Sequence, residues 1–226
     1  MTADPHSGAP TLRAGAPAGS ARLGLVLLHG RGGGAEDMLE LGATMGRDDI
    51  AVIAPQAADR SWWPVSFLDP TAALQPWLDS ALRRVGEATA MLHDEGLDPG
   101  RIAVGGFSQG ACLALEHVAR TGAPLHAVVA LSGGLVGTGD AAGEASAQLY
   151  GRRDKRFDYS ARLDGVRALL ACHDQDPHIP AARVRRSAQV LTAMGAQVDL
   201  RLHRGASHGL ATGDLEAMRA LLSDTV

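Results

Sequence analysis

Cysteine, lysine, aromatic residues, strong net charge and long apolar runs are all scarce in this 226-residue chain. The two cysteines, Cys112 and Cys172, lack the spacing of a metal site, and each sits in an apolar segment that predicts a buried free thiol. Free thiols suit a reducing compartment, so a cytoplasmic location is expected. Lysine is almost absent while alanine, glycine and arginine abound, a bias that reads as genome composition. A formal net charge of -4 supplies no basic field, which argues against nucleic acid as a partner. The longest apolar runs, such as Leu23–Leu28 and Ala127–Leu131, are too short to cross a bilayer, so no integral membrane segment is expected. No basic stretch followed by an apolar one opens the sequence, so no signal peptide is expected either. The few aromatics are concentrated: two of the three Trp and one of the three Phe fall within Ser61-Trp62-Trp63-Pro64-Val65-Ser66-Phe67.

What is present is an alternation of short apolar runs with helical periodicity. Residues 1–9, rich in small residues and proline, read as a disordered tail. Residues 10–226 read as one domain with no repeat, no linker and no large cap. Thr11–Ala14 is a candidate edge strand. Leu23–His29, Ile50–Ala54, Arg101–Gly105, Ala127–Leu131, Val166–Cys172 and Val198–Leu202 read as further strands. Helices are expected over Ala35–Met45, from Thr71 or Pro76 to His93, from Ala111 to about Arg120, and over Ala181–Met194 and Thr212–Ser223. In the second of these, Leu78, Leu82, Val85, Thr89 and Leu92 recur every three or four residues and define one buried face. Residues 135–164 show poor periodicity and read as a loop. The Arg152–Arg156 cluster within them, and Arg183, Arg185 and Arg186 later on, read as solvated charge. The architecture implied is α/β: a mostly parallel central sheet with helices on both faces.

One stretch organises the rest. The Arg101–Gly105 strand is broken by Gly106-Phe107-Ser108-Gln109-Gly110, and a helix follows. A strand, a sharp turn with glycine on both sides of a serine, and a helix form the setting of a nucleophile elbow. The glycines answer a steric need, because side chains there would strike the neighbouring strand and helix. The pentapeptide alone is weak evidence, and its weight depends on partners. A serine hydroxyl needs a base, and the base needs an orienting carboxylate. In this architecture the order is serine, acid, histidine. Asp176 follows the Val166–Cys172 strand and is stiffened by Pro177; its competitor is Asp174. His208 follows the last strand; its competitor is His203. The oxyanion would be met by the backbone N–H of Gln109 and by that of Arg31, with Gly32 as the alternative to Arg31. The glycine run beside Arg31 lacks the spacing of a phosphate or dinucleotide loop, so a phosphate-binding reading is weak and no cofactor is expected.

These motifs carry a resemblance. Leu28-His29-Gly30-Arg31-Gly32, Gly106-Phe107-Ser108-Gln109-Gly110, Asp176-Pro177-His178-Ile179-Pro180 and Ser207-His208-Gly209 look like the phospholipase/carboxylesterase family of α/β-hydrolases, which includes the acyl-protein thioesterases. The likeness extends from about residue 10 to the end. It implies the α/β-hydrolase fold and a metal-independent serine esterase, with Ser108, Asp176 and His208 as triad and Arg31 and Gln109 as oxyanion donors. Two features depart from the pattern. His173 stands where the family often has glycine. The Trp62-Trp63-Pro64-x-Ser66-Phe67 loop resembles a small bacterial branch more than the thioesterases proper.

The expectation is therefore a hydrolase for carboxylic esters of small to medium size, working through an acyl-enzyme on Ser108, with a small-molecule ester as its partner. Gly32, Trp63, Phe67 and His178 are the candidate substrate-binding residues; core packing competes for the aromatics, and a capping or surface role competes for His178. A thioesterase or lysophospholipase would use the same triad, and a non-catalytic binding protein would keep only the fold. An open site in so small a hydrolase also makes a homodimer a candidate assembly.

Overall fold

In the computed structural model, residues 4–139 and 141–223 are described. The chain runs β1 (Thr11–Gly15), β2 (Leu23–Leu28), α1 (Ala35–Ala43), β3 (Ile50–Pro55), α2 (Thr71–Leu74), α3 (Trp77–Asp94), β4 (Ile102–Phe107), α4 (Gln109–Thr121), β5 (Ala127–Leu131), β6 (Arg167–His173), α5 (Ala181–Ala193), β7 (Gln197–His203) and α6 (Asp214–Ser223). The seven strands form one sheet in the order β1-β3-β2-β4-β5-β6-β7. Only β1 is antiparallel to its neighbour; every other pair is parallel. This is the α/β-hydrolase architecture expected.

Parallel strands covered on both faces should be apolar throughout, and β2, β3 and β5 are buried along their whole length. Two apolar cores result. One lies between the sheet and α3, α4 and α5, the other between the sheet and α1 and α6. Helix α4 lies deepest, with every residue from Gln109 to Ala119 buried. Each large aliphatic side chain so enclosed is worth about 1.5–3 kcal/mol.

Register then positions the site. Phe107 pairs with Leu131, Leu131 with Ala171, and His173 with His203. The carboxyl ends of β4 to β7 are therefore level, and the segments carrying Ser108, Asp176 and His208 leave the sheet along one edge.

The helix expected from Thr71 or Pro76 begins at the later bound, as α3, and α2 is a separate short helix before it. Three features differ from the sequence reading. Of the expected tail, residues 1–3 lie outside the described residues, whereas residues 4–9 are held against the body. His6 is buried there: its main-chain N–H donates to Ser80 Oγ at 3.0 Å, and its Nε2 lies 3.0 Å from the Trp62 carbonyl. The segment after β5 has no regular strand but is packed down through Leu135, Val136, Thr138, Leu149 and Leu163. Lys155 and Arg183, read as solvated charge, are buried. Lys155 Nζ sits 3.0 Å from Glu116 Oε1 and 2.6 Å from the Val136 carbonyl. Arg183 donates to the carbonyls of Leu135 and Gly137 and to Asp154. Long loops contain main-chain carbonyls that need donors when they are covered, and these two cations supply them.

Candidate active site

Ser108 occupies the turn between β4 and α4 with φ +53° and ψ -117°, a left-handed conformation that costs a non-glycine residue of order 1–3 kcal/mol. The turn closes only because of the glycines. A Cβ on Gly110 would lie 2.0 Å from the Leu28 carbonyl oxygen, and one on Gly106 would lie 2.6 Å from it. The serine N–H is fixed by the Leu131 carbonyl at 2.9 Å, and its own carbonyl accepts from Cys112 N–H at 3.0 Å.

His208 Nε2 lies 2.9 Å from Ser108 Oγ, and His208 Nδ1 lies 2.8 Å from Asp176 Oδ2. An ionised carboxylate only accepts, so Nδ1 carries the proton and Nε2 presents its lone pair to the hydroxyl. The Asp176 carboxylate is buried and accepts also from the main-chain N–H groups of His178 (2.8 Å) and Ile179 (3.0 Å). The Cys172 thiol lies 3.6 Å away; burial, then the Asp176 charge, push its pKa up to about 12, so it stays neutral. The His208 ring is further confined by Phe107 (5.1 Å between ring centres) and by an edge contact from His178 (4.8 Å).

The competitors are engaged elsewhere. Asp174 Oδ1 accepts the Gly205 N–H at 3.0 Å, as a turn residue would. His203 Nε2 lies 2.7 Å from Asp214 Oδ1. Gly32 adopts φ +78°, donates its N–H to the Arg60 carbonyl at 2.7 Å and lies outside the cavity wall. The main-chain N–H groups of Arg31 and Gln109 meet no acceptor among the described residues.

A cavity of about 480 Å³ opens over Ser108. Arg31, Trp63, Phe67, Gln109 and His178 all line it. Sequence reasoning missed Cys112 and Ile179, which also line it. Cys112 had a signal: it stands four residues after Ser108 on α4 and so shares its helical face. Sequence reasoning also missed the Gln109 side chain. Its Oε1 accepts the Trp62 N–H at 2.9 Å and its Nε2 donates to the Trp63 carbonyl at 2.8 Å. Trp62 in turn donates its indole N–H to the His29 carbonyl and stacks on the His29 ring at 5.1 Å. Burial lowers the His29 pKa, which keeps that ring neutral to accept the Ala57 N–H at 3.0 Å. The loop after β2, the aromatic loop and the residue after Ser108 are thus one hydrogen-bonded unit. Among the described residues, no three His, Cys, Asp or Glu side chains are disposed to hold a metal ion.

The model of the phospholipase/carboxylesterase family matches residues 14–226. A phospholipase/carboxylesterase from Dyadobacter fermentans is 31% identical with a TM-score of 0.85, over 96% of this chain and 97% of that one. Esterase PE8 is 26% identical with a TM-score of 0.71, over 95% and 96%. The Bacillus cereus carboxylesterase, 19% identical with a TM-score of 0.66 over 96% and 94%, shares the fold. No curated protein matches the sequence.

Proposed function

The chain belongs to the phospholipase/carboxylesterase family, and from that premise we propose that it hydrolyses carboxylic esters of small to medium size through an acyl-enzyme on Ser108. The observation that carries the reading is the unbroken relay from Ser108 Oγ to His208 at 2.9 Å and from His208 to Asp176 at 2.8 Å. Ser108 Oγ attacks the ester carbonyl carbon as its proton passes to His208 Nε2. Asp176 holds the imidazole in the accepting tautomer and stabilises the imidazolium. The oxyanion that develops is met by the N–H groups of Arg31 and Gln109, which are preorganised and unspent. Collapse expels the alcohol, which takes its proton from His208. Water then attacks the acyl-enzyme by the same route.

The cavity limits the substrate. About 480 Å³ shared between both arms of an ester, with Trp63 and Phe67 as walls, favours short and medium chains. The test is a p-nitrophenyl ester series from acetyl to palmitoyl, beside Ser108→Ala. A preference for short chains that vanishes in the variant is the expected result. A rising rate towards palmitoyl would move the enzyme to the lysophospholipase or thioesterase side of the family.

The same reading takes residues 10–226 as one domain without a large cap, acting on a small-molecule ester. No described helix is long and apolar enough to cross a membrane. Two buried free thiols support a reducing compartment such as the cytoplasm. A homodimer covering the open mouth is the assembly proposed, and light scattering in solution tests it.

A further inference from the structure

The cavity over Ser108 is electrostatically one-sided. Its walls are apolar at Trp63, Val65, Phe67 and Ile179, and they contain no acidic side chain. The one permanently charged group among them is Arg31. Its two terminal nitrogens donate to the carbonyls of Pro64 (2.8 Å) and Val65. Those contacts fix the plane of the guanidinium against the aromatic loop but leave its charge uncompensated. No carboxylate among the described residues lies within ion-pairing distance of it. Two of its five N–H groups are used, so three remain. The carboxylate nearest the chemistry, Asp176, is already matched by His208 and two main-chain N–H groups.

A planar guanidinium held rigid, with spare donors and no counter-ion, is built to receive an anionic oxygen group. The ester carbonyl is fixed by Ser108 and the N–H groups of Arg31 and Gln109. Ser108 and Arg31 line one cavity, whose apolar walls are Trp63, Val65, Phe67 and Ile179. We propose that the enzyme selects esters whose acyl arm ends in a carboxylate, and that Arg31 is the residue that selects them. The inference rests on the hydrolase reading above, since it names the substrate class of the same site.

The experiment uses three methyl esters of one chain length: monomethyl adipate, methyl hexanoate and methyl 6-aminohexanoate. Each kcat/KM is divided by the ester's own hydroxide-catalysed rate. The wild type is expected to prefer the anionic ester over the neutral one by roughly tenfold, with the cationic ester last. Arg31→Met should bring the three together, and Arg31→Lys should keep part of the order. Because Arg31 also braces the aromatic loop, both variants lower all three rates; only loss of the charge changes their ranking. A wild-type preference at or below unity for the anionic ester overturns the proposal, and so does a ranking that survives in Arg31→Met. Calorimetric titration of Ser108→Ala with adipate separates the two readings. If no ester is hydrolysed by the wild type, adipate binding that is lost on adding Arg31→Met upholds the anion site alone. Absence of binding rejects it.

Discussion

Gln109 accepts the Trp62 main-chain N–H on its side-chain oxygen at 2.9 Å, across 47 residues of sequence. The residue proposed to offer a main-chain donor to the oxyanion is therefore tied by its side chain to the loop that walls the cavity. Trp62 is held from behind by His6, whose ring lies edge-on to the indole at 5.4 Å. His6 Nδ1 accepts the Ala58 N–H at 3.2 Å, so its Nε2–H donates to the Trp62 carbonyl.

From that chain of contacts, His6→Ala is expected to lower kcat several-fold with a smaller change in KM, and to cost about 1–3 kcal/mol through lost hydrogen bonds. Steady-state kinetics beside urea unfolding measures both. An unchanged kcat would mean that the aromatic loop keeps its place without the amino-terminal segment.

Ser108→Ala should reduce ester hydrolysis by roughly 10⁵–10⁶, and Asp176→Asn by about 10⁴. Gly110→Ala should do comparable damage by another route, since its Cβ would fall 2.0 Å from the Leu28 carbonyl oxygen. Reaction with a fluorophosphonate, followed by intact mass, distinguishes them. Asp176→Asn should label slowly, and Ser108→Ala should not label at that position.

His117 lies buried on α4 with its Nδ1 unpartnered. Burial alone lowers its pKa from 6.5 to about 4. The unfolded chain then binds the proton more tightly than the folded one, so stability rises with pH through this window. The contribution is full above pH 6.5 and is lost as pH falls towards 4, by about 3 kcal/mol. Urea unfolding at pH 7.5 and 4.5 should show His117→Leu losing less stability on acidification than the wild type. Equal losses would place the acid sensitivity in other histidines.

Glu116 is fully buried beneath the segment that follows β5, where it meets Lys155, Arg120 and Tyr159. Burial pushes its carboxyl up, but the Lys155 and Arg120 charges outweigh burial and hold it below the ordinary value. Lys155→Met leaves that carboxylate short of a partner and should cost about 3–5 kcal/mol. The double variant Glu116→Gln/Lys155→Met should cost less than the sum of the single changes in a double-mutant cycle. Strict additivity would show that the two side chains act separately.

The sheet and the three side chains that meet at the proposed triad were legible because each depends on local pattern. Unbroken apolar runs mark strands buried on both faces, and a serine between glycines marks the turn. Sequence alone does not separate Asp176 from Asp174, because both follow β6. The loop after β7 separates them: its Gly205 N–H donates to Asp174, while Asp176 meets His208. His6 gave no signal at all, since a single histidine in a proline-rich start has no periodicity. Lys155 and Arg183 were misread for a related reason. Charge predicts exposure unless a buried partner is known, and Glu116 lies 39 residues before Lys155. Gly32 was half legible: its φ of +78° is the reason for glycine there, but its N–H is spent on Arg60.

Lys155 has one more property. It is the chain's single lysine, and it is sealed beneath the segment it anchors with 7% of its surface exposed. Beyond the α-amino group, the folded enzyme offers acylating reagents no accessible primary amine. Modification of Lys155 therefore times the opening of the segment that follows β5, and a single added mass at that position becomes a clock for that segment's motion.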